Sequence, residues 1–202
     1  MLKKSLAAAA LAALSFGASA ATNLVGDGSF DATVVNGGSW TTVYSTQGWN
    51  DPWVTGNAGL EIRNSVAGNA IDGPNFVELD TDQNSTISQT LSTVAGQEYA
   101  LSFWVEDRAN TAASTNGVTY TIDGVTNTVV GGTTPTWTRE SLTFVASSSS
   151  TTLTFAAAGT SDGYGSSLDN VEVSAVPEPA TFVLMASGLA LFGLSRRRSH
   201  RG

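Results

Sequence analysis

Cysteine is absent from the 202-residue chain, which removes disulfides, thiol nucleophiles and thiolate metal sites together. Histidine is nearly absent as well. The only one, His200, lies two residues from the end in a basic tail. Without a histidine in the body there is no Ser-His-Asp hydrolysis, no imidazole acid–base step and no His-ligated zinc. Lysine occurs only at Lys3 and Lys4, so residues 21–176 keep just Arg63, Arg108 and Arg139 against sixteen acids. The whole chain carries −8, but this stretch alone carries −13. A surface of that sign repels a phosphate backbone and has no cationic stripe, which excludes nucleic acid as a partner. Carboxylate chemistry, hard-cation binding through oxygen, and binding without chemistry remain.

Long apolar runs occur only at the two ends. Lys3 and Lys4 precede an apolar run from Leu6 to Phe16, and Ala18-Ser19-Ala20 follows it. Cationic start, short apolar middle and A-x-A site predict a secretory signal peptide over residues 1–20. At the other end Pro177-Glu178-Pro179 leads into the apolar stretch Ala180–Leu194 and then Arg196-Arg197-Arg198. Fifteen residues fall short of the ~20 that span a bilayer comfortably, and an arginine run stays on the cytoplasmic side. This tripartite end resembles the PEP-CTERM sorting signal of Gram-negative, exopolysaccharide-producing bacteria. The resemblance implies that an exosortase reads it and that the helix is a transient membrane anchor, the chain's only membrane contact. Three segments follow: signal peptide 1–20, body 21–176 and sorting signal 177–202.

The body is rich in serine and threonine, and its apolar residues alternate. Tyr99, Leu101, Phe103 and Val105 share one face of a period-2 run, and Val118–Ile122, Leu142–Phe144 and Leu153–Phe155 repeat the pattern. Alternation bounded by Gly, Asn, Asp and Pro predicts strands with one wet face. Asp123-Gly124 predicts a hairpin turn between two of them. No stretch has a helical period with a cap. Many short strands in about 150 residues predict an all-β, two-sheet antiparallel sandwich of the jelly-roll kind.

The order of weak motifs points the same way. Asn23-Leu-Val-Gly-Asp-Gly-Ser-Phe-Asp31, Gly48-Trp49, Phe76-Val-Glu-Leu-Asp80, Leu101-Ser-Phe103, Trp137 and Leu168-Asp-Asn-Val171 succeed one another along the body. Together they resemble galactose-binding-like jelly rolls, in particular the choice-of-anchor C bacterial surface proteins. They are also similar to a related domain of unknown function in plant cell-wall proteins. The resemblance implies a carbohydrate-binding sandwich with Trp49 buried as its packing tryptophan. By the same resemblance, Asp31 and Asp169 are candidate ligands of a structural calcium; capping turns is the other use open to them.

Alternation from Tyr99 sends Ser102, Trp104, Glu106 and Arg108 to the face opposite the core. A tryptophan between an acid and a base suits a sugar: the ring stacks on a pyranose face while charged groups take hydroxyls. The alternative is a tryptophan packed beneath a loop. Tyr44 and Trp53, in an aromatic stretch rich in Gly, Thr and Asn, join Trp104, Glu106 and Arg108 as candidate glycan contacts. Glu78 and Asp80, two residues apart on one strand face, have a spacing open to glycoside hydrolysis, but acids are so abundant here that a solvated acidic face is the expected reading. The expectation is therefore a non-enzymatic, secreted, surface or matrix protein that binds extracellular polysaccharide. A structural surface component with no glycan ligand is the alternative.

Overall fold

The computed structural model describes residues 22–177. The expected signal peptide, and all of the sorting signal beyond Pro177, lie outside these residues. Eleven strands form: β1 Ser39–Val43, β2 Val54–Thr55, β3 Leu60–Asn64, β4 Phe76–Glu78, β5 Thr86–Ser92, β6 Glu98–Glu106, β7 Gly117–Ile122, β8 Val125–Val130, β9 Thr138–Val145, β10 Ser150–Ala157 and β11 Ser167–Ala175. They make a six-stranded sheet in the order β1-β3-β4-β11-β6-β9 and a five-stranded sheet in the order β2-β5-β10-β7-β8. Every pairing is antiparallel. The expected all-β sandwich is the fold observed.

The alternation read from sequence is what closes the two sheets on each other. On β6, Tyr99, Leu101, Phe103 and Val105 are buried in the core, and β5, β7 and β10 answer with Ile87 and Leu91, Val118 and Ile122, Leu153 and Phe155. Phe103 meets Phe155 and Tyr120 edge-on, with ring centroids 4.9 Å apart in both cases. Truncating a ring so enclosed typically costs about 3–5 kcal/mol. Asp123-Gly124 turns the chain from β7 into β8, with both residues at positive φ, as a two-residue hairpin loop requires.

The N-terminal motif is structural. β11 bulges between Asp169 and Glu172, leaving ladder groups unpaired. The Asn23 side chain accepts from Val173 N–H and donates to the Val171 carbonyl, while Leu24 N–H bonds the Val173 carbonyl. Gly28 crosses so close that a Cβ there would lie 2.1 Å from the Val171 carbonyl oxygen. Phe30 then enters the core beside Trp53. At its far end β11 runs directly into the exit of the domain. Ala175 pairs with Tyr99, Val176 N–H bonds the Glu98 carbonyl, and the Gln97 amide donates to the Val176 carbonyl.

Candidate functional site

The outer face of the six-stranded sheet gathers nearly all the chemistry the sequence offers. Its register lines up Thr42, Glu61, Glu78, Ser167 and Glu106 as one row crossing β1, β3, β4, β11 and β6. The next row begins with Trp40, Arg63 and Phe76, and on the far side places Asp169, Trp104 and Arg139 abreast. Aromatics therefore stand toward both edges and carboxylates toward the middle.

The middle is closed. Glu78 and Asp169 are fully buried and Asp80 is 1% exposed, so the solvated acidic face expected for Glu78 and Asp80 is not what forms. Two loops cover it. The loop between β3 and β4, residues 65–75, is tied down by Asp169, whose Oδ2 accepts the N–H groups of Ile71 (2.8 Å) and Asp72 (3.0 Å). Asp31 accepts Asn75 N–H at 3.1 Å at the other end of the loop, and Gly73, at φ +66°, lets the backbone pass the Asp31 carboxylate. The loop between β10 and β11 is held by Asp80, which accepts from Asp162 and Gly163 N–H.

Beneath this cover Glu78 ion-pairs with Arg63 and, at 2.7 Å, with Arg108; Arg63 also ion-pairs with Glu61. Arg108 in turn stacks over the ring of Tyr164, 4.6 Å from its centroid. Burial pushes the Glu78 carboxyl up to about 7 despite both guanidiniums, and Asp169 up to about 7 despite its N–H donors. Glu106, half-buried beside Asp107, is raised by burial and by that neighbouring charge.

The carboxylates suggested for calcium are engaged by backbone N–H groups. Calcium takes six to eight oxygens with lone pairs directed inward. Here three N–H groups, including that of Asn170 at 2.6 Å, point at Asp169, and another points at Asp31 Oδ1. Among the described residues no three acids gather as a metal group. The pair fastens a loop.

The candidate glycan contacts divide. Trp104 and Glu106 lie on the outer face, as alternation predicts, and both are half-buried. Arg108 shares their end of the sheet but is engaged with Glu78 and Tyr164. Tyr44 follows β1, four strands from β6, or roughly 19 Å at ~4.8 Å per strand, so it does not share a contact with Trp104. Trp53 requires correction. It is 1% exposed, packs on Phe30 and Phe155, and donates its indole N–H to the Asp27 carbonyl. Trp53 is thus the buried packing tryptophan, whereas Trp49 is half-buried at the margin and donates to Thr33. Two residues are added. Arg139 sits directly across from Trp104 and donates to Ser102 at 2.9 Å. Trp137 packs edge-on against Phe76, with centroids 6.0 Å apart, and donates to the Asn69 carbonyl. The spacing Trp137, Arg139, Ser141 was the available signal, an alternation that starts one residue before β9 and continues as its outward half.

The antiparallel sandwich is a fold found in solved structures. TmCBM61, solved in complex with β-1,4-galactotriose, shares the fold with a TM-score of 0.52 and 13% identity, covering 77% of this chain and 99% of that one. Family 16 carbohydrate-binding module 2 superposes with a TM-score of 0.48 and 15% identity over 75% of this chain and 99% of the module. A family 35 carbohydrate-binding module from Clostridium thermocellum gives 0.43 and 19%, over 67% and 97%. No curated relative matches in sequence. The chain belongs to the family described as protein of unknown function (DUF642), which matches residues 23–174. Residues 175–199 match the PEP-CTERM protein-sorting motif, which marks a sorted surface protein.

Proposed function

We propose that this protein is a non-catalytic, surface-sorted carbohydrate-binding module whose ligand is an extracellular polysaccharide. The observation that carries the reading is the half-buried flank of the six-stranded sheet, where Trp104 lies beside Arg139 and one register step from Glu106. A flat indole offers a stacking surface to the C–H face of a sugar, and the guanidinium and carboxylate on either side supply donors and acceptors for its hydroxyls. The fold shared with TmCBM61 supports the reading, as does a sorting motif that delivers the body to the cell surface. The absence of catalysis is supported by Glu78, the central acid of its row: it is fully buried, with one oxygen held by two arginines, so it is not presented to a substrate.

The test is a titration of the wild type and Trp104→Ala against the producing cell's own polysaccharide. Aromatic anchors in binding sites commonly account for ~2 kcal/mol or more on truncation, so affinity should fall at least about 30-fold. Because the ring is half-buried, stability should fall by only about 1–2 kcal/mol, below the ~3–5 kcal/mol of a core aromatic. Wild-type protein that binds no polysaccharide would leave the structural-component reading, which the uncharged second sheet favours.

A further inference from the structure

Strand β8 closes one edge of the five-stranded sheet, and no described strand pairs with its outer side. It differs from two of the other three edges; the third, β1, is also free of charge and proline, but it is one residue shorter and its sequence Ser39-Trp-Thr-Thr-Val43 has no internal symmetry. β2 is only two residues long, and β9 carries Arg139 and Glu140, the charged side chains that normally keep sheet edges from pairing. β8 is six residues long and has no charge, proline or bulge, with Val125 59% and Val130 85% exposed. Its sequence is also a palindrome, Val125-Thr126-Asn127-Thr128-Val129.

Those features favour one occupant over any other. We propose that β8 is a homotypic joint, at which two copies pair antiparallel about a two-fold axis through Asn127. An isologous contact sets each residue against its mirror position. A palindrome then places like side chains opposite one another: Val125 against Val129, Thr126 against Thr128, Asn127 against itself. On the outer side Thr126 already bonds Thr121 (2.8 Å) and Thr128 bonds Thr119 (3.3 Å). Across the joint Thr126 meets the second copy's Thr128, so the threonine ladder continues from one sheet into the next. The body's −13 charge opposes general association, but within the strand no like charges face each other. One six-residue edge buries less than the ~1,200 Å² of a standard stable interface, so the joint is reversible and grows with local concentration.

The missing cysteine makes the test clean. At the dyad two Asn127 Cα atoms would stand ~4.5–5.5 Å apart, inside the range a disulfide bridges. Full-length N127C, extracted in mild detergent and oxidised, should become mainly a disulfide-linked homodimer. T143C, on the edge strand of the other sheet, should stay monomeric. Sedimentation velocity on uncrosslinked wild type should show a concentration-dependent dimer that T128K abolishes while a thermal melt shows it folded. If T128K fails to fold, the two cysteine variants decide alone. Equal cross-linking of N127C and T143C, a wild type monomeric at every concentration, an unchanged dimer in T128K, or N127C captured by a different protein would each overturn the joint.

Discussion

The two outer faces of the sandwich belong to antiparallel sheets of similar size, six strands and five, yet their side chains have almost nothing in common. On the six-stranded sheet a single row holds three glutamates, and the row beside it holds two tryptophans, two arginines and an aspartate. On the five-stranded sheet the register runs Val54, Ser88, Thr154, Thr121, Thr126 with no charge in it. Both faces leave the core unchanged, because outward positions contribute little to inter-sheet packing. The difference shows that the fold leaves those positions free, and that this chain sets its charged and aromatic side chains on one side only.

The strongest way to break the contrast is Glu78→Ala. It would remove the fully buried carboxylate shared by Arg108 and Arg63, the latter 3% exposed, and leave Arg63 with Glu61 alone. Losing one member of a buried ion pair costs about 3–5 kcal/mol, which a denaturant titration would resolve; a cost under ~1 kcal/mol would mean the network is dispensable.

Next comes pH. Asp169 and Glu78 sit near 7 in the folded state against ordinary values of 3.8 and 4.5. The folded state then binds more protons than the unfolded chain between about pH 4 and 7, so stability falls as pH rises through that window and levels off above it. The melting temperature should be several degrees higher at pH 5 than at pH 8. Asp169→Asn should flatten the profile, and a profile that rises with pH would contradict the burial argument.

Calcium should do less. With N–H groups on Asp31 and Asp169, chelation with EDTA should leave the melting temperature where it was. A drop that calcium alone reverses would show that the two carboxylates regroup around a cation.

The smallest effect belongs to the other face. Thr154→Val, in the middle of the uncharged row, should change stability by no more than ~0.5 kcal/mol and leave polysaccharide binding untouched.

Alternation made the fold legible. A strand with one face in the core repeats every two residues, and Tyr99–Val105 or Val118–Ile122 shows that without knowledge of any neighbour. The same rule put Trp104 and Glu106 on the outer face. Strand order was not legible, and it decides which outward residues meet. β9 follows β8 in sequence but pairs with β6, and only that places Arg139 beside Trp104. Nor does alternation reveal what loops cover. Glu78 and Asp80 face outward, as their spacing says, yet residues 65–75 and the loop before β11 close over that face. Trp53 misled for a related reason: β2 spans only Val54–Thr55, too short to show a period.

The way the chain leaves the sandwich has a mechanical consequence. Val176 is still held at the head of β6, its amide by the Glu98 carbonyl and its carbonyl by the Gln97 side chain. Pro177 follows immediately, so no slack separates the last bonded residue from the Pro-Glu-Pro motif. Ser167, abreast of Glu106, lies eight residues before Ala175 along β11, about 26 Å at ~3.3 Å per residue. Whatever grips the motif thus holds a lever. A pull or a tilt at the exit passes along a single strand to the tryptophan flank, and the load falls first on the two bonds at Val176, which would break in succession, like the teeth of a zip.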